Sequence, residues 1–339
     1  MGKCLLTLLA SSDLLYLQLA YECAKNQKDT HLEYDVCIVI NTLNDSFYKE
    51  VCECQDFKDA IIIRTESNGK PGKGHNSLHT YFEEHPEYDY LIPIDGDDFI
   101  YPFFLQRLQH YIATPYCPDV LFIPFSDILT RDCNPSLHCP IGSKCYLNVN
   151  IQEINLMNQF YEGKLSPFDY PLEQVNTPGR LVLFSRNALT MNARYQESFK
   201  WYDDLTFFMN VFEHAALFPH KYNVYMIDEY YMYVYNRLNT GSATFDFLQK
   251  RQENYKKEND MLQLEIENKY LAIRDWNLKT IKVLKNPTKN ECLTQKISFC
   301  EGIVEKLGLP IIDIDKTHLP RFTAFFQQNK LPNIFEKMI

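Results

Sequence analysis

The 339-residue chain contains no run of about 18 apolar residues, so no membrane span is expected. It has no Cys-x-x-Cys pair, its cysteine total of 11 is odd, and Cys52 and Cys54 stand too close for an easy disulfide. Scattered reduced thiols in a cytosolic protein explain that set better than a disulfide framework does. Cys133, Cys139 and Cys145 with His138 are a zinc-capable grouping, but their spacing matches no standard zinc pattern. Positive charge is also scarce: 34 Lys and Arg against 44 Asp and Glu leave a net charge of −10. No nucleic-acid partner is expected from such a chain. Phosphate-bearing small molecules stay open, because a metal can supply the positive charge locally. Neither Gly-Lys-Ser nor Gly-Lys-Thr occurs, which excludes the Walker phosphate loop, and the dinucleotide fingerprint is absent. Asp13 interrupts the apolar stretch from Leu5 to Ala20 and no small-residue cleavage site follows, so a signal peptide is not expected. Leu6 occupies the position where a myristoylation signal needs Ser or Thr. The expected location is cytoplasmic, with peripheral attachment to a membrane left open.

What is present is an ordinary globular composition, 45% apolar and 23% charged, with an unusual 23 Tyr and 23 Phe. Tyr packs by its face and hydrogen-bonds by its tip, which suits a core as well as contacts to sugars or bases. Strand and helix patterns alternate through the first hundred residues. Cys4 to Ala10, Asp35 to Ile40, Ala60 to Arg64 and Leu91 to Ile94 read as buried strands. Asp13 to Lys25 and Phe47 to Cys54 read as helices. A Gly-rich loop extends to Asn76, with a helix from there to about Glu84. This rhythm predicts a doubly wound, mostly parallel α/β sheet, with the loops at Ser11, Asn41, Lys73 and Asp95 meeting along one edge. Further on, Val120 to Pro124 and Gly179 to Ser185 read as strands, and residues 131–150 as a long loop. Leu205 to His214 reads as a helix, and Tyr222 to Tyr235 as one or two aromatic strands. Residues 246–284 carry helical spacing, with Leu248, Tyr255 and Leu262 seven apart, and a further helix is expected from Thr294 to Leu307.

Three groups of residues carry chemistry. The apolar run Leu91-Ile92-Pro93-Ile94 ends in Asp95, Asp97 and Asp98. Carboxylates crowded at a strand's end repel one another unless a cation or a raised pKa relieves them. Hard oxygen ligands suit Mg2+ or Mn2+ bridging to a diphosphate; the alternative is an acidic turn, for which Asp-Gly is a common dipeptide. The glycines of Gly69-Lys70-Pro71-Gly72-Lys73-Gly74-His75-Asn76 would permit close approach of a phosphate, with Lys73 offsetting its charge; the alternative is a surface loop. Trp201-Tyr202-Asp203-Asp204 opens a helix, so the acidic pair is either a cap or a general base beside a sugar acceptor. Arg237, in Tyr235-Asn236-Arg237-Leu238-Asn239-Thr240-Gly241-Ser242, could grip a phosphate.

Taken together, residues 3 to 245 resemble the GT-A-fold glycosyltransferases of the large inverting family two. Asp95-Gly96-Asp97-Asp98 with Tyr101-Pro102 and Leu105 is similar to that family's Asp-x-Asp-Asp segment. Gly74-His75-Asn76-Ser77-Leu78 is similar to its Asn-bearing helix start. Arg180 to Ser185, Tyr195-Gln196-Glu197-Ser198-Phe199 and Asp203-Asp204 are similar to its strand, Phe-x-Glu stretch and acidic pair. Tyr235 to Ser242 resembles its closing loop. Where the family's first strand ends Pro-Thr-Tyr-Asn, this chain has Ala10-Ser11-Ser12-Asp13. Where its second strand ends in an acidic pair, this chain has Asn41-Thr42, which leaves the nucleotide unassigned.

The resemblance implies a GT-A catalytic domain over residues 1–245, divided into a nucleotide-sugar half (1–115) and an acceptor half (116–245). A mainly helical region would follow at 246–339, with a homodimer through its helices left open. It implies metal-dependent, inverting transfer of a sugar from a UDP-, GDP- or dTDP-sugar to a glycan, lipid-linked or protein acceptor. Asp95, Asp97 and Asp98 would hold Mn2+ or Mg2+. Ser11, Ser12, Asn41, Lys73, Asn76, Asp95, Asp97 and Arg237 would contact the donor, and Asp204, or alternatively Asp203, would be the base. The rivals are a nucleotidyltransferase making sugar nucleotides and a non-catalytic carbohydrate-binding protein on the same fold.

Overall fold

The computed structural model describes residues 2–65, 67, 70–113, 115, 117–123, 125–130, 145–149, 181–198, 203–218, 220–227, 232–236, 239, 282–284, 299, 302–303 and 305–306. In chain order, β1 (Lys3–Ala10) leads into α1 (Leu14–Lys25), β2 (Glu33–Ile40) into α2 (Asp45–Glu53), and β3 (Ile61–Arg64) into α3 (Pro71–Glu84). β4 (Tyr90–Asp95) is followed by β5 (Phe99–Ile100), α4 (Phe104–Ile112), β6 (Val120–Ile123), β7 (Phe125–Thr130), β8 (Cys145–Val149) and β9 (Leu181–Ser185). The described elements end with α5 (Asp203–Leu217), β10 (Val224–Ile227), β11 (Tyr233–Asn236) and β12 (Lys282–Leu284).

The strands form an eight-stranded sheet, ordered β12-β10-β6-β9-β4-β1-β2-β3, and a four-stranded sheet, ordered β5-β11-β7-β8. Within the large sheet every described pairing is parallel except those of β9, which runs antiparallel to β4 and β6. β1 lies at its centre, with Leu6 in register between Val36 of β2 and Ile92 of β4. Its near-continuous apolar sequence follows from burial on both faces. Cys4, Leu6 and Leu8 face one core, with Leu17 of α1 and Leu105 of α4, while Leu5 faces the other, with Leu78 and Phe82 of α3 and Phe207 of α5. Parallel β1, β2, β3 and β4 bring their carboxyl ends to one edge, where the acidic turn and the start of α3 lie. This is the mostly parallel, helix-flanked sheet that the sequence predicts.

Three readings of the sequence change. The segment read as a Gly-rich loop to Asn76 is helical from Pro71, so Lys73, Gly74, His75 and Asn76 lie within α3. Proline at the first helical position is pre-set for the helix and loses no bond by lacking an N–H. The glycines serve close packing: a Cβ on Gly72 would stand 2.8 Å from the Gln196 carbonyl oxygen, and one on Gly74 2.6 Å from Leu9 Cδ1. The predicted long loop at 131–150 contains β8, whose residues pair antiparallel with β7. The helical pattern read through 284 ends in β12, which extends the main sheet beside β10. Asp13 caps α1 by accepting from the Tyr16 N–H at 3.3 Å, and does so from a left-handed φ of 66°, a conformation Asp tolerates better than most residues.

Phe299, Gly302, Ile303, Glu305 and Lys306 are helical, within the predicted Thr294 to Leu307 segment, and Lys306 pairs with Glu22 of α1. The spacing at Leu248, Tyr255 and Leu262 lies outside the described residues, as do Cys133, His138 and Cys139 of the zinc-capable grouping. Cys4, Cys23, Cys37, Cys52 and Cys54 are free thiols, and burial pushes the first three up to about 12. Among the described residues no helix is long and apolar enough to cross a membrane.

Candidate active site

Asp95 closes β4, and the turn after it is shaped by Gly96. The Gly96 N–H donates to the Leu9 carbonyl at 2.8 Å, and a Cβ on this residue would stand 2.7 Å from that same oxygen. Only glycine lets the turn lie so close to the end of β1. Asp97 is half-buried and accepts from the Asn239 side-chain amide at 2.7 Å. Burial, reinforced by the charge of Asp95 and opposed by the Asn239 bond, pushes its carboxyl up to about 6. Asp98, expected among the metal ligands, turns inward instead. It has no accessible surface, and its oxygens accept from the Asn236 backbone N–H at 2.7 Å and from the Tyr233 hydroxyl. Burial and then the charges of Asp97 and Asp95 hold its carboxyl well above the ordinary range. The side chain of Asn236 donates to the Asp97 carbonyl at 3.0 Å, so β11 holds the acidic turn from behind.

The donor residues expected from sequence separate into exposed and structural. Ser11 and Ser12 are exposed immediately beyond β1. Asn41 is 2% exposed; its side chain donates to the Lys70 carbonyl at 3.0 Å and accepts from the Thr65 hydroxyl at 3.0 Å, so it ties the end of β2 to the entry of α3 rather than facing a ligand. Lys73 lies half-buried in the first turn of α3. Asn76 exchanges hydrogen bonds with the backbone of Tyr195, accepting from its N–H at 2.8 Å and donating to its carbonyl at 2.9 Å. This holds segment 193–198 against α3. Arg237 lies outside the described residues.

The acidic pair occupies the first turn of α5, where the helix dipole favours negative charge. Asp203 is 6% exposed and its Oδ2 is buried without a hydrogen-bond partner. Burial, then the charges of Asp204 and Asp95, hold its carboxyl well above the usual range. Asp204 is only half-buried. The helix opening and the end of β4 therefore face one another closely enough for Asp95 to bear on Asp203.

Sequence reasoning passed over His75. Its imidazole stacks on Tyr195 (centroids 4.5 Å apart, planes at 19°), and Tyr195 stacks in turn on Phe207 of α5 (4.2 Å, 8°). His75 Nε2 stands 3.8 Å from Asp95 Oδ1. Burial lowers its pKa to about 4 against the opposing pull of Asp204, so the ring is neutral at pH 7 and forms no ion pair with Asp95. His79, one turn along, is held still lower, to about 3, by burial among Phe184, Tyr195 and Phe207. Two histidines four apart on a helix beginning at a sheet edge were the available signal.

Among the described residues no group of three or more His, Cys, Asp and Glu side chains forms a ready metal cage. Asp95, its side chain 42% exposed, and Asp97, its proton affinity raised by burial and then by the charge of Asp95, are two hard oxygen donors on one turn. Mg2+ and similar ions that accompany phosphates are held by one or two carboxylates, with phosphate oxygens and water completing the shell. The donor set fits an ion bound together with a diphosphate.

No protein-family model matches the chain, and no curated protein matches it. Among solved structures it is similar to S. aureus TarS 1-349 in complex with UDP-GlcNAc, at TM-score 0.53 and 14% identity, over 96% of this chain and 78% of that one. The mannosyltransferase PcManGT from Pyrobaculum calidifontis, in complex with GDP-Man and Mn2+, aligns over 97% of this chain and 84% of that one at 11% identity, but its TM-score of 0.45 is too slight to argue from. The likeness to TarS is one of fold, and the fold of this chain is of the GT-A type.

Proposed function

We propose that the protein is a metal-dependent glycosyltransferase that moves a sugar from a nucleotide-diphosphate donor to an acceptor hydroxyl with inversion. One observation carries this reading. The carboxylates at the end of β4 and those opening α5, far apart in sequence, act on a common point, since both Asp204 and Asp95 raise the affinity of Asp203 for its proton. A single displacement needs two such poles, one for the leaving diphosphate and one for the attacking hydroxyl.

On this reading Asp95 and Asp97 hold the ion and the diphosphate, with Ser11, Ser12 and Lys73 within the same edge of the sheet. A bound divalent ion would act as a Lewis acid, neutralising charge on the departing nucleoside diphosphate. Asp204 takes the acceptor proton as the hydroxyl attacks from the face opposite the leaving group. Asp203 is the less suited of the two, because burial and the charges of Asp204 and Asp95 raise its affinity for its own proton. The TarS structure with UDP-GlcNAc supports a nucleotide-sugar donor for this fold.

Thermal unfolding with UDP, GDP, dTDP or CDP, each with and without Mn2+, tests the reading, because a ligand of the folded state raises apparent stability by mass action. A Mn2+-dependent rise with one nucleotide is expected. A flat response across the whole panel in well-folded protein would count against it.

A further inference from the structure

One ring lies near both poles of the proposed reaction, against Asp95 and within reach of the charge of Asp204. In a single displacement the transferred sugar lies between the leaving diphosphate and the base, because bond making and bond breaking occur on opposite faces of one carbon. Any side chain that borders both the Asp95 turn and the opening of α5 therefore borders the sugar. His75 meets that condition. Its Nε2 is 3.8 Å from Asp95 Oδ1, and its ring stacks on Tyr195, which stacks on Phe207 of α5. The side chain retains 14% of its accessible surface, so an edge of the imidazole is reachable.

Resting on the glycosyltransferase reading, we infer that His75 is a sugar-binding residue that selects the donor by hydrogen-bonding a hydroxyl or amide of the transferred sugar. Three features suit it to this. The stack on Tyr195 fixes the plane of the ring, and the pair of hydrogen bonds from Asn76 fixes Tyr195. The ring sits four residues into α3 from Pro71, on a regular helix rather than a loop. Its Nδ1 is buried without a hydrogen-bond partner, and an imidazole nitrogen can donate to or accept from a sugar hydroxyl.

The test compares a nucleoside diphosphate with its own sugar nucleotides on the full-length chain. Thermal stabilisation is measured with UDP plus Mn2+ and with UDP-glucose, UDP-galactose and UDP-N-acetylglucosamine plus Mn2+; the same is done with GDP and GDP-mannose. His75→Phe preserves the stacked ring and removes both nitrogens, and His75→Gln restores a hydrogen-bonding group without the ring. For the preferred donor, the wild type is expected to bind the sugar nucleotide more tightly than the bare diphosphate. His75→Phe should lose roughly ten-fold in affinity for the sugar nucleotide, with diphosphate affinity held within about two-fold, and His75→Gln should recover part of the loss. An unchanged sugar increment in His75→Phe would overturn the inference while leaving the broader reading intact. Equal loss for diphosphate and sugar nucleotide would also overturn it, showing that the ring acts on Asp95 instead. No response of the wild type to any nucleotide would remove both.

Discussion

The side-chain amide of Asn76 and the backbone of Tyr195 satisfy each other with two hydrogen bonds, of 2.8 and 2.9 Å, across 119 residues of chain. Through this pair α3 grips the segment that leads to α5, and the stack from His75 to Phe207 depends on it. Asn76→Ala would leave a backbone N–H and a carbonyl of a buried residue unpaired. Each such group costs about 1–3 kcal/mol, so a loss of about 2–4 kcal/mol is expected in urea unfolding. Asn76→Asp keeps the acceptor, loses the donor, and sets a second carboxylate beside Glu197, which already accepts from Asn76 at 3.0 Å. It should also lose stability, more at neutral than at acidic pH. Wild-type stability in both variants would show that the pair holds nothing.

Asp97 predicts a conflict between stability and function. Its carboxyl is pushed from an ordinary 3.8 up to about 6, so the folded chain holds this proton more tightly than the unfolded chain does. Stability linked to it therefore falls as pH rises from about 4 to about 6, and the penalty is complete above that window. Asp97→Asn should stabilise the ligand-free protein at pH 7.5 by about 1 kcal/mol, a figure discounted for partial exposure, with the gain shrinking at pH 5. The same variant should lose Mn2+-dependent nucleotide stabilisation. Unfolding curves at the two pH values, with and without nucleotide, check both halves.

Asp98 predicts the reverse. Its oxygens are committed to Asn236 and Tyr233, and burial with the charges of Asp97 and Asp95 holds its carboxyl well above the ordinary range. Asp98→Asn keeps the shape of the side chain while removing a carboxyl whose charged form burial disfavours, and should cost less than about 1 kcal/mol, with Mn2+-dependent binding preserved. Asp98→Ala leaves buried partners unpaired and should cost about 2–4 kcal/mol. Loss of metal response in a folded Asp98→Asn protein would restore Asp98 to the ligand set.

Gly74 tests the packing of α3. Alanine there would place its methyl 2.6 Å from Leu9 Cδ1 and 2.8 Å from the Asn41 amide. Overpacking of this kind costs about 1–3 kcal/mol, outweighing the roughly 1 kcal/mol that Ala gains over Gly within a helix. At Gly302, also helical, nothing lies within 4 Å of an added Cβ, and Gly302→Ala should be neutral or stabilising. Calorimetric melting of the two single variants decides the sign of each.

Gly74 also shows where the sequence could and could not be read. The strands of the sheet's centre were legible because a strand buried on both faces is apolar throughout, as Leu5, Leu6 and Leu8 are. The acidic turn was legible because Asp95 follows such a strand directly. Glycine has no single meaning, however: at 72 and 74 it signals helix packing, whereas local composition suggested a loop. β8 was hidden by the polar residues around it, and β12 by the charged run before it, since both form through distant pairing, with β7 and β10. The inward turn of Asp98 and the wedge formed by His75 depend on Tyr233, Asn236 and Tyr195, all more than a hundred residues away. No local pattern encodes such contacts.

The base assignment divides two adjacent carboxylates by environment alone. Asp203 is buried against the close approach of Gly72, and its affinity for a proton is raised; Asp204, the next residue, is half-buried. Asp204→Asn removes the group that accepts the acceptor's proton while leaving the turn at Asp95 and Asp97 untouched. Transfer should fall by about 10²–10⁴-fold, the range general-base catalysis supplies, with Mn2+-dependent nucleotide stabilisation unchanged. Asp203→Asn keeps the shape of a side chain whose charged form burial disfavours and should retain transfer within about ten-fold, its loss reflecting the packing at Gly72. The pair is read by turnover of the sugar nucleotide identified in the binding panel, measured beside nucleotide-induced stabilisation. A large loss in Asp203→Asn with activity kept in Asp204→Asn would exchange their roles. It would also mean that substrate binding lowers the raised proton affinity of Asp203, because a carboxyl that keeps its proton cannot accept another from the acceptor.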